Sequence, residues 1–528
     1  MRLLSFLLAA SLLACVAILP RAVGRDSIDL AGIWDLAFDD EDRGVAERWF
    51  ERDSPGAARA PWGIGKVPGC FPAPGGGIRH PDGEHSVGWY RRTFEVPEEW
   101  RGRRIRIRFE AVERNARVFV NGAEVGGHTG GWAPFTVDAA EAARPGENTL
   151  VLRVEHRERA TRGFVQLVGS NYAGIWQGVA LEAKDELTLE DFFARGKLHP
   201  PFADLEVVVR NAGASGSRFT VTGRVEGEGD RTVSLYVPAR ATVPVRLPIE
   251  IKAPALWEPG RPHLYDGRVS LERDGREVDR VSARFGLREL RSEGSAILLN
   301  GRPIEFRGVL HWGWYPDRIA PAPDAATARE EFAAIRALGF NGVKPCLVVF
   351  PEAWYRAADE EGILLWQEYP NWQIRVDDGN REALVREYGE MARALRHHPS
   401  IVLSSLSTEW DKRYFDPGLV ERAFAAVKEK GPGGLLLDNS GGWGGPPPRP
   451  LGPSRLADFL SAHPYPGRLR GFDAAGIART REKPFLLGET IDGDTFKNLP
   501  RIVERNGGSA PWWMRPFQVE AAPQMPEP

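Results

Sequence analysis

The chain has 528 residues and a formal net charge of −3, from 69 lysines and arginines against 72 aspartates and glutamates. That length exceeds what one hydrophobic core supports, so several domains are expected, and the mixed, nearly balanced charge argues against nucleic acid or an anionic membrane surface as partner. The 3 cysteines are too few and too scattered for a disulfide framework, whereas 17 tryptophans and 25 phenylalanines supply rings that fill cores and can also stack on sugar faces.

Arg2 precedes an apolar stretch from Leu3 to Leu19, followed by Pro20-Arg21-Ala22-Val23-Gly24. A basic start, an apolar stretch too short to span and a small-residue site predict a signal peptide over 1–24, hence export to the periplasm or the medium. A lipid anchor on Cys15 is the alternative, and no other membrane partner is expected. From 25 to 185 short alternating runs are separated by Gly, Pro and Asn. R-I-R-I-R-F-E (104–110) has period two, and R-V-F-V runs into Asn121-Gly122, a hairpin signal. This predicts a β-sandwich. Residues 186–290 repeat the all-β grammar, with L-E-V-V-V-R, R-T-V-S-L-Y-V and D-G-R-V-S-L, and predict a second, immunoglobulin-like sandwich.

Over 291–528 the grammar changes. I-E-F-R-G-V-L-H (304–311) reads as a strand, and A-A-T-A-R-E-E-F-A-A-I-R-A-L-G (325–339) as an amphipathic helix ended by Gly339. A strand at N-G-V-K-P-C-L-V-V, a helix stopped by Gly362 and a strand at I-L-L-W-Q-E follow. Strand–helix alternation implies a parallel sheet, and this length suits a TIM-type (β/α)8 barrel. Two later apolar runs of strand length close on an acid: Glu409 after I-V-L-S-S-L-S-T, and Glu489 after K-P-F-L-L-G. Chemistry in such barrels sits at the C-terminal strand ends, and two carboxylates there are the minimum equipment for cleaving a glycosidic bond. Trp366 and Glu368 close the third strand and would face the same rim, Glu368 either on a substrate or in a structural hydrogen bond.

Several ordered motifs resemble glycoside hydrolase family two, the β-galactosidase, β-glucuronidase and β-mannosidase group. V-P-G-C-F (67–71), W-Y-R-R-T-F-E-V-P (89–97), V-F-V-N-G-A-E-V-G (118–126), G-G-W-A-P-F (130–135) and A-G-I-W-Q-G-V (173–179) are similar to its sugar-binding jelly roll. L-W-E-P-G-R-P-H-L-Y (256–265) and R-F-G-L-R-E-L (284–290) resemble its immunoglobulin-like domain, and L-N-G-R-P-I-E-F-R-G-V-L-H-W (299–312) the start of its barrel. The resemblance implies Glu409 as general acid/base, Glu489 as nucleophile, Tyr465 orienting Glu489, and His463 and His311 lining the pocket. It also implies a retaining, exo-acting β-glycosidase acting on terminal β-linked sugars of oligo- or polysaccharides. No organic cofactor is expected, because no redox or nucleotide motif is present, and no cluster has the spacing of a metal site.

Departures stand beside these matches. Thr408 occupies the place of an asparagine that would bond the sugar 2-hydroxyl. Lys344 and Leu347 stand for an arginine and a pocket histidine, and Thr490 for an aromatic residue. Only 39 residues follow Glu489, and none reads clearly as an eighth strand, Trp512 and Trp513 notwithstanding. The barrel is therefore either irregular or incomplete at its last strand. The competing expectation is a non-catalytic carbohydrate-binding or scaffolding protein with a degenerate barrel.

Overall fold

The computed structural model describes residues 25–74, 83–157, 171–315, 318–372, 374–410, 413–441, 456–463 and 482–489, with the isolated positions 504 and 508. The leader with Cys15, and Tyr465, Thr490, Trp512 and Trp513, lie outside the described residues.

Between Arg25 and Lys184 two antiparallel sheets, of four and six strands, face each other. Strand Arg104–Phe109 shows why: Ile105, Ile107 and Phe109 point inward while the intervening arginines point out. Their inner faces meet over a core that includes Trp34, Leu150, Leu152 and Leu181. The Asn121-Gly122 turn has positive φ at both positions, 50° and 85°, and pairs Val120 with Ala123. That geometry matches the right-handed twist of the flanking strands. From Leu187 to Phe285 a three-stranded and a four-stranded antiparallel sheet enclose a second core around Leu205, Val221 and Leu271.

The remaining chain switches to parallel pairing. Five strands lie in sequence order: β1 (Gly308–His311), β2 (Gly342–Pro345), β3 (Leu364–Glu368), β4 (Ile401–Thr408) and β5 (Leu435–Ser440). Helices α1 (Ala325–Ala337), α2 (Glu352–Glu361), α3 (Arg381–Ala394) and α4 (Pro417–Lys430) alternate with them. The Asp324 and Asp416 carboxylates accept from the backbone N–H of Thr327 and Leu419 to start α1 and α4, and Gly362, with φ of 67°, ends α2. A further parallel pair joins β6 (Leu460–Ala462) to β7 (Phe485–Leu487). Strand β4 is buried along its whole length, as a parallel strand covered on both faces must be.

One expected element divides in two. Arg302–Ile304 belongs to a small antiparallel sheet, and only Gly308–His311 joins the parallel one. The break at Glu305–Arg307 is held by Asn341, whose side chain accepts from the Arg307 N–H at 2.8 Å and donates to the Glu305 carbonyl at 2.8 Å.

The first sandwich also packs on the helices. Trp132, Tyr172 and Trp176 share a core with Phe350, Tyr388 and Trp410. Glu387 of α3 accepts from the Gly131 N–H at 3.1 Å, and His128 pairs with Glu390 at 3.0 Å.

Candidate active site

The C-terminal ends of the parallel strands bring seven polar side chains together. Strand β2 delivers Lys344 and, one residue beyond its end, Cys346. Glu368 ends β3 and Ser440 ends β5. Glu409, His463 and Glu489 lie just past the ends of β4, β6 and β7.

Glu409 turns out of its strand with φ of 52°, a left-handed conformation uncommon for a residue with a Cβ. The turn is held on both sides. The Glu409 N–H donates to the Ser440 carbonyl at 2.8 Å, and the next N–H, of Trp410, donates to the Asn439 side-chain oxygen at 2.9 Å. The Glu409 carboxylate remains about one-third exposed, whereas the Glu489 carboxylate is buried at 6 % exposure. One carboxylate oxygen of each, together with a His463 ring nitrogen, falls within a mutual 4.8 Å. His463 Nδ1 lies 3.1 Å from Glu409 Oε1 and 3.6 Å from Glu489 Oε2.

Behind the pair sits one buried ammonium. Lys344 Nζ is 2.9 Å from Glu368 Oε2 and 3.4 Å from Glu489 Oε1, an ion pair with each carboxylate, and donates to Ser440 Oγ at 3.2 Å. Burial opposes the charge, but Glu368 and Glu489 outweigh it and raise Lys344 above the ordinary lysine range. Burial lifts the Glu368 carboxyl, with Glu489 adding to the rise and Lys344 pulling it back. The Cys346 thiol, 3.1 Å from Glu368 Oε1, is pushed up by burial and by Glu368, which keeps it protonated and a poor nucleophile. Among the described residues, two groups have ligand atoms close enough to share an ion: Cys346–Glu368–Glu489 and Glu409–His463–Glu489. In the first, the Lys344 ammonium already contacts both carboxylates.

Not every expected residue joins this cluster. Trp366 is 1 % exposed, donates its ring N–H to Ser405 Oγ at 2.5 Å and packs edge-on against Phe306 and Phe459. It is a core residue whose face supports Lys344, with Nζ 4.9 Å from the ring centre, and it presents no surface to a sugar. Two residues apart on β3, Trp366 and Glu368 share one face of the strand, and Lys344 touches both. Glu368 does belong to the cluster: it is fully buried, ion-paired with Lys344, and accepts from the Cys346 thiol. His311 turns toward α1 instead. Its Nδ1 accepts from the Gly313 N–H at 3.0 Å, its Nε2 lies 3.4 Å from Glu331, and its ring packs on Phe350. Thr408 ends β4 beside Glu409, buried, with no hydrogen-bond partner for its hydroxyl among the described residues. Tyr465 lies outside the described residues.

Ser440, Cys346 and Asn439 were not singled out from the sequence. A signal for the first and last existed: L-L-L-D-N-S (435–440) is an apolar run of strand length that turns polar at its end, the pattern that marked Glu409.

Residues 28–184 match the family model described as glycosyl hydrolases family 2, sugar binding domain, and residues 187–288 match that of glycosyl hydrolases family 2. The chain carries two successive domains of glycosyl hydrolases family 2. A β-galactosidase of Thermoanaerobacter pseudethanolicus is 28% identical over 330 residues, 60% of this chain and 44% of the relative. A β-glucuronidase of Paenibacillus borealis is 26% identical over 431 residues, 73% of this chain and 68% of the relative. The chain spans about half or less of the length of the first three curated relatives, 44%, 40% and 50%. Among solved structures, the β-glucuronidase from Ruminococcus gnavus in complex with D-glucaro 1,5-lactone superposes with a TM-score of 0.72 at 22% identity, covering 90% of this chain and 84% of that one. Bacteroides uniformis β-glucuronidase 2, covalently bound to cyclophellitol-6-carboxylate aziridine, gives 0.73 at 19% identity over 88% and 59%. At these identities the structural likeness speaks for the family 2 fold.

Proposed function

We propose that this chain is a retaining, exo-acting β-glycosidase that removes terminal β-linked galactosyl or glucuronosyl residues from oligo- or polysaccharides. The observation that carries the reading is the approach of the Glu409 and Glu489 carboxylate oxygens to within 4.8 Å. A retaining pair stands about 5 Å apart, whereas an inverting pair needs roughly 6.5–9.5 Å to admit a water. The relatives' names, β-galactosidase and β-glucuronidase, support the substrate class.

Glu489, buried and paired with Lys344, is the nucleophile that bonds to the anomeric carbon. Glu409, the more exposed of the two, protonates the departing oxygen and then takes a proton from the attacking water. The Thr408 hydroxyl, buried and without a protein partner among the described residues, would serve the sugar 2-hydroxyl. The parallel strands β1–β7 would close with one more strand into a TIM-type barrel, preceded by a jelly roll at 25–185 and an immunoglobulin-like sandwich at 186–290. Tyr465 would orient Glu489, and the leader 1–24 would direct export.

Hydrolysis of a panel of nitrophenyl β-glycosides, with the product anomer followed by NMR, tests the reading. Release of the β-sugar first supports it. Release of the α-anomer, or saturable sugar binding without turnover, overturns it, and the second result would favour the carbohydrate-binding alternative.

A further inference from the structure

The donor and acceptor inventory around His463 decides which ring nitrogen carries its proton. The Lys344 ammonium has donors only, and Ser440 Oγ lies 3.2 Å from it, so Ser440 accepts that bond. Its own hydroxyl proton is then directed to its other neighbour, His463 Nε2, at 3.0 Å. A nitrogen that accepts is unprotonated, so the neutral ring carries its proton on Nδ1. Nδ1 is the atom that lies 3.1 Å from Glu409 and 3.6 Å from Glu489. The ring is also caged. A Cβ at Gly441 would stand 2.4 Å from Nδ1, and one at Gly488 would stand 2.8 Å from Nε2, so the ends of β5 and β7 leave room for this ring and no methyl group beside it.

Resting on the glycosidase reading, we propose that Ser440 is a positioning residue that locks His463 as its Nδ1–H tautomer. One ring N–H then serves both carboxylates, following the negative charge between them. In the first step a Glu489 oxygen bonds to the anomeric carbon, the bond to the leaving oxygen breaks, and the Glu409 proton goes to that oxygen. The negative charge has moved from Glu489 to Glu409. In the second step a water oxygen bonds to the anomeric carbon, its proton goes to Glu409, and the ester bond to Glu489 breaks, returning the charge. His463 keeps its proton throughout and donates to whichever carboxylate is ionised, which stabilises the base form of Glu409 only while Glu489 is esterified. Charge-assisted donation of this kind is roughly twice as strong as donation to a neutral oxygen.

The test reads the tautomer directly. Protein labelled with 15N-histidine is examined by long-range proton–nitrogen correlation, with the His463 signals identified by their loss in His463→Gln. Wild type and Ser440→Thr should show a pyrrole-type Nδ1 and a pyridine-type Nε2, and Ser440→Ala should lose that pattern. With a dinitrophenyl glycoside, whose hydrolysis is limited by the second step, Ser440→Ala should lower kcat on the order of ten- to hundredfold, as for other groups that orient a working histidine, and Ser440→Thr should restore most of it. An Nε2–H ring in the wild type, or an unchanged tautomer and kcat in Ser440→Ala, overturns the proposal. Because the tautomer is read without turnover, a wild type that shows Nδ1–H yet hydrolyses no glycoside would overturn the glycosidase reading and still support the Ser440 assignment.

Discussion

Replacing Lys344 with methionine keeps most of the side-chain volume and removes the ammonium. Lys344 is 2 % exposed and its partner Glu368 is fully buried, so water cannot take over the pairing. Removing one member of such a pair leaves an uncompensated buried charge, worth about 3–5 kcal/mol. The sign of the pH dependence follows from Glu368. Its pKa is raised by burial even with Lys344 present, and loss of the cation raises it further. A group whose folded pKa lies above the unfolded one stabilises the fold below the unfolded value, and that stability is lost as pH rises through the folded one. The Lys344→Met penalty should therefore be smaller at pH 4, below the ordinary glutamate value, than at pH 8. Hydrogen exchange of peptides covering β2 and β3, compared with wild type at the same pH, reads the local opening free energy. A loss below about 1 kcal/mol at pH 8, or a loss equal at the two pH values, would show that the ammonium is not compensating buried carboxylates.

Three further outcomes are expected. Glu489→Gln should abolish turnover of every substrate, whereas Glu409→Gln should retain the first step on acidic phenol leaving groups and be rescued by azide; equal losses without an azide effect would mean that the roles are wrongly assigned or that this site is not the catalyst. Trp366→Phe should lower stability by about 1–3 kcal/mol, through the lost Ser405 bond and lost packing, and leave KM unchanged; a raised KM in a stably folded variant would return Trp366 to the substrate surface. N-terminal sequencing of exported protein should begin at Arg25; a start at Met1 would sink the signal-peptide assignment, and a start at a lipidated Cys15 would favour the lipid anchor.

How far the site was legible depended on what each residue's role rests on. Glu409 and Glu489 could be found because a strand of apolar residues that ends on an acid is a local pattern. His463 emerged only from the resemblance, since nothing in S-A-H-P-Y shows that its ring nitrogen will stand between two carboxylates supplied by other strands. Trp366 and Glu368 were placed on the rim as strand-end residues, but a strand end has two sides, and the neighbouring strands decide which one faces solvent. Lys344 and Ser440 pair with groups 23 to 145 positions away in sequence. No periodicity encodes such a pairing. The same holds for the division of 304–311, where the Asn341 amide, reaching from the start of β2, overrode a continuous run of strand formers.

The contact between the first sandwich and α3 supplies the last expectation. Glu387 is 2 % exposed and accepts from the Gly131 N–H at 3.1 Å. Burial, opposed by Arg114 and reinforced by Glu113, pushes its carboxyl up to about 8. Its folded pKa thus lies above the unfolded one, so the stability it contributes is fully present below the ordinary carboxylate range. It is then lost at up to about 1.4 kcal/mol per pH unit until pH reaches the folded value, after which the dependence flattens. Glutamine at this position keeps an oxygen for the Gly131 N–H and has no proton to lose. Glu387→Gln should therefore match the wild type near pH 5 and become the more stable protein by pH 8.5, by on the order of a few kcal/mol, in urea unfolding followed at both pH values. The difference between the two proteins is the useful quantity, because it cancels every other titrating group. A difference that does not change between pH 5 and pH 8.5 would mean that Glu387 is ionised across this range, and that Arg114 rather than burial governs the contact.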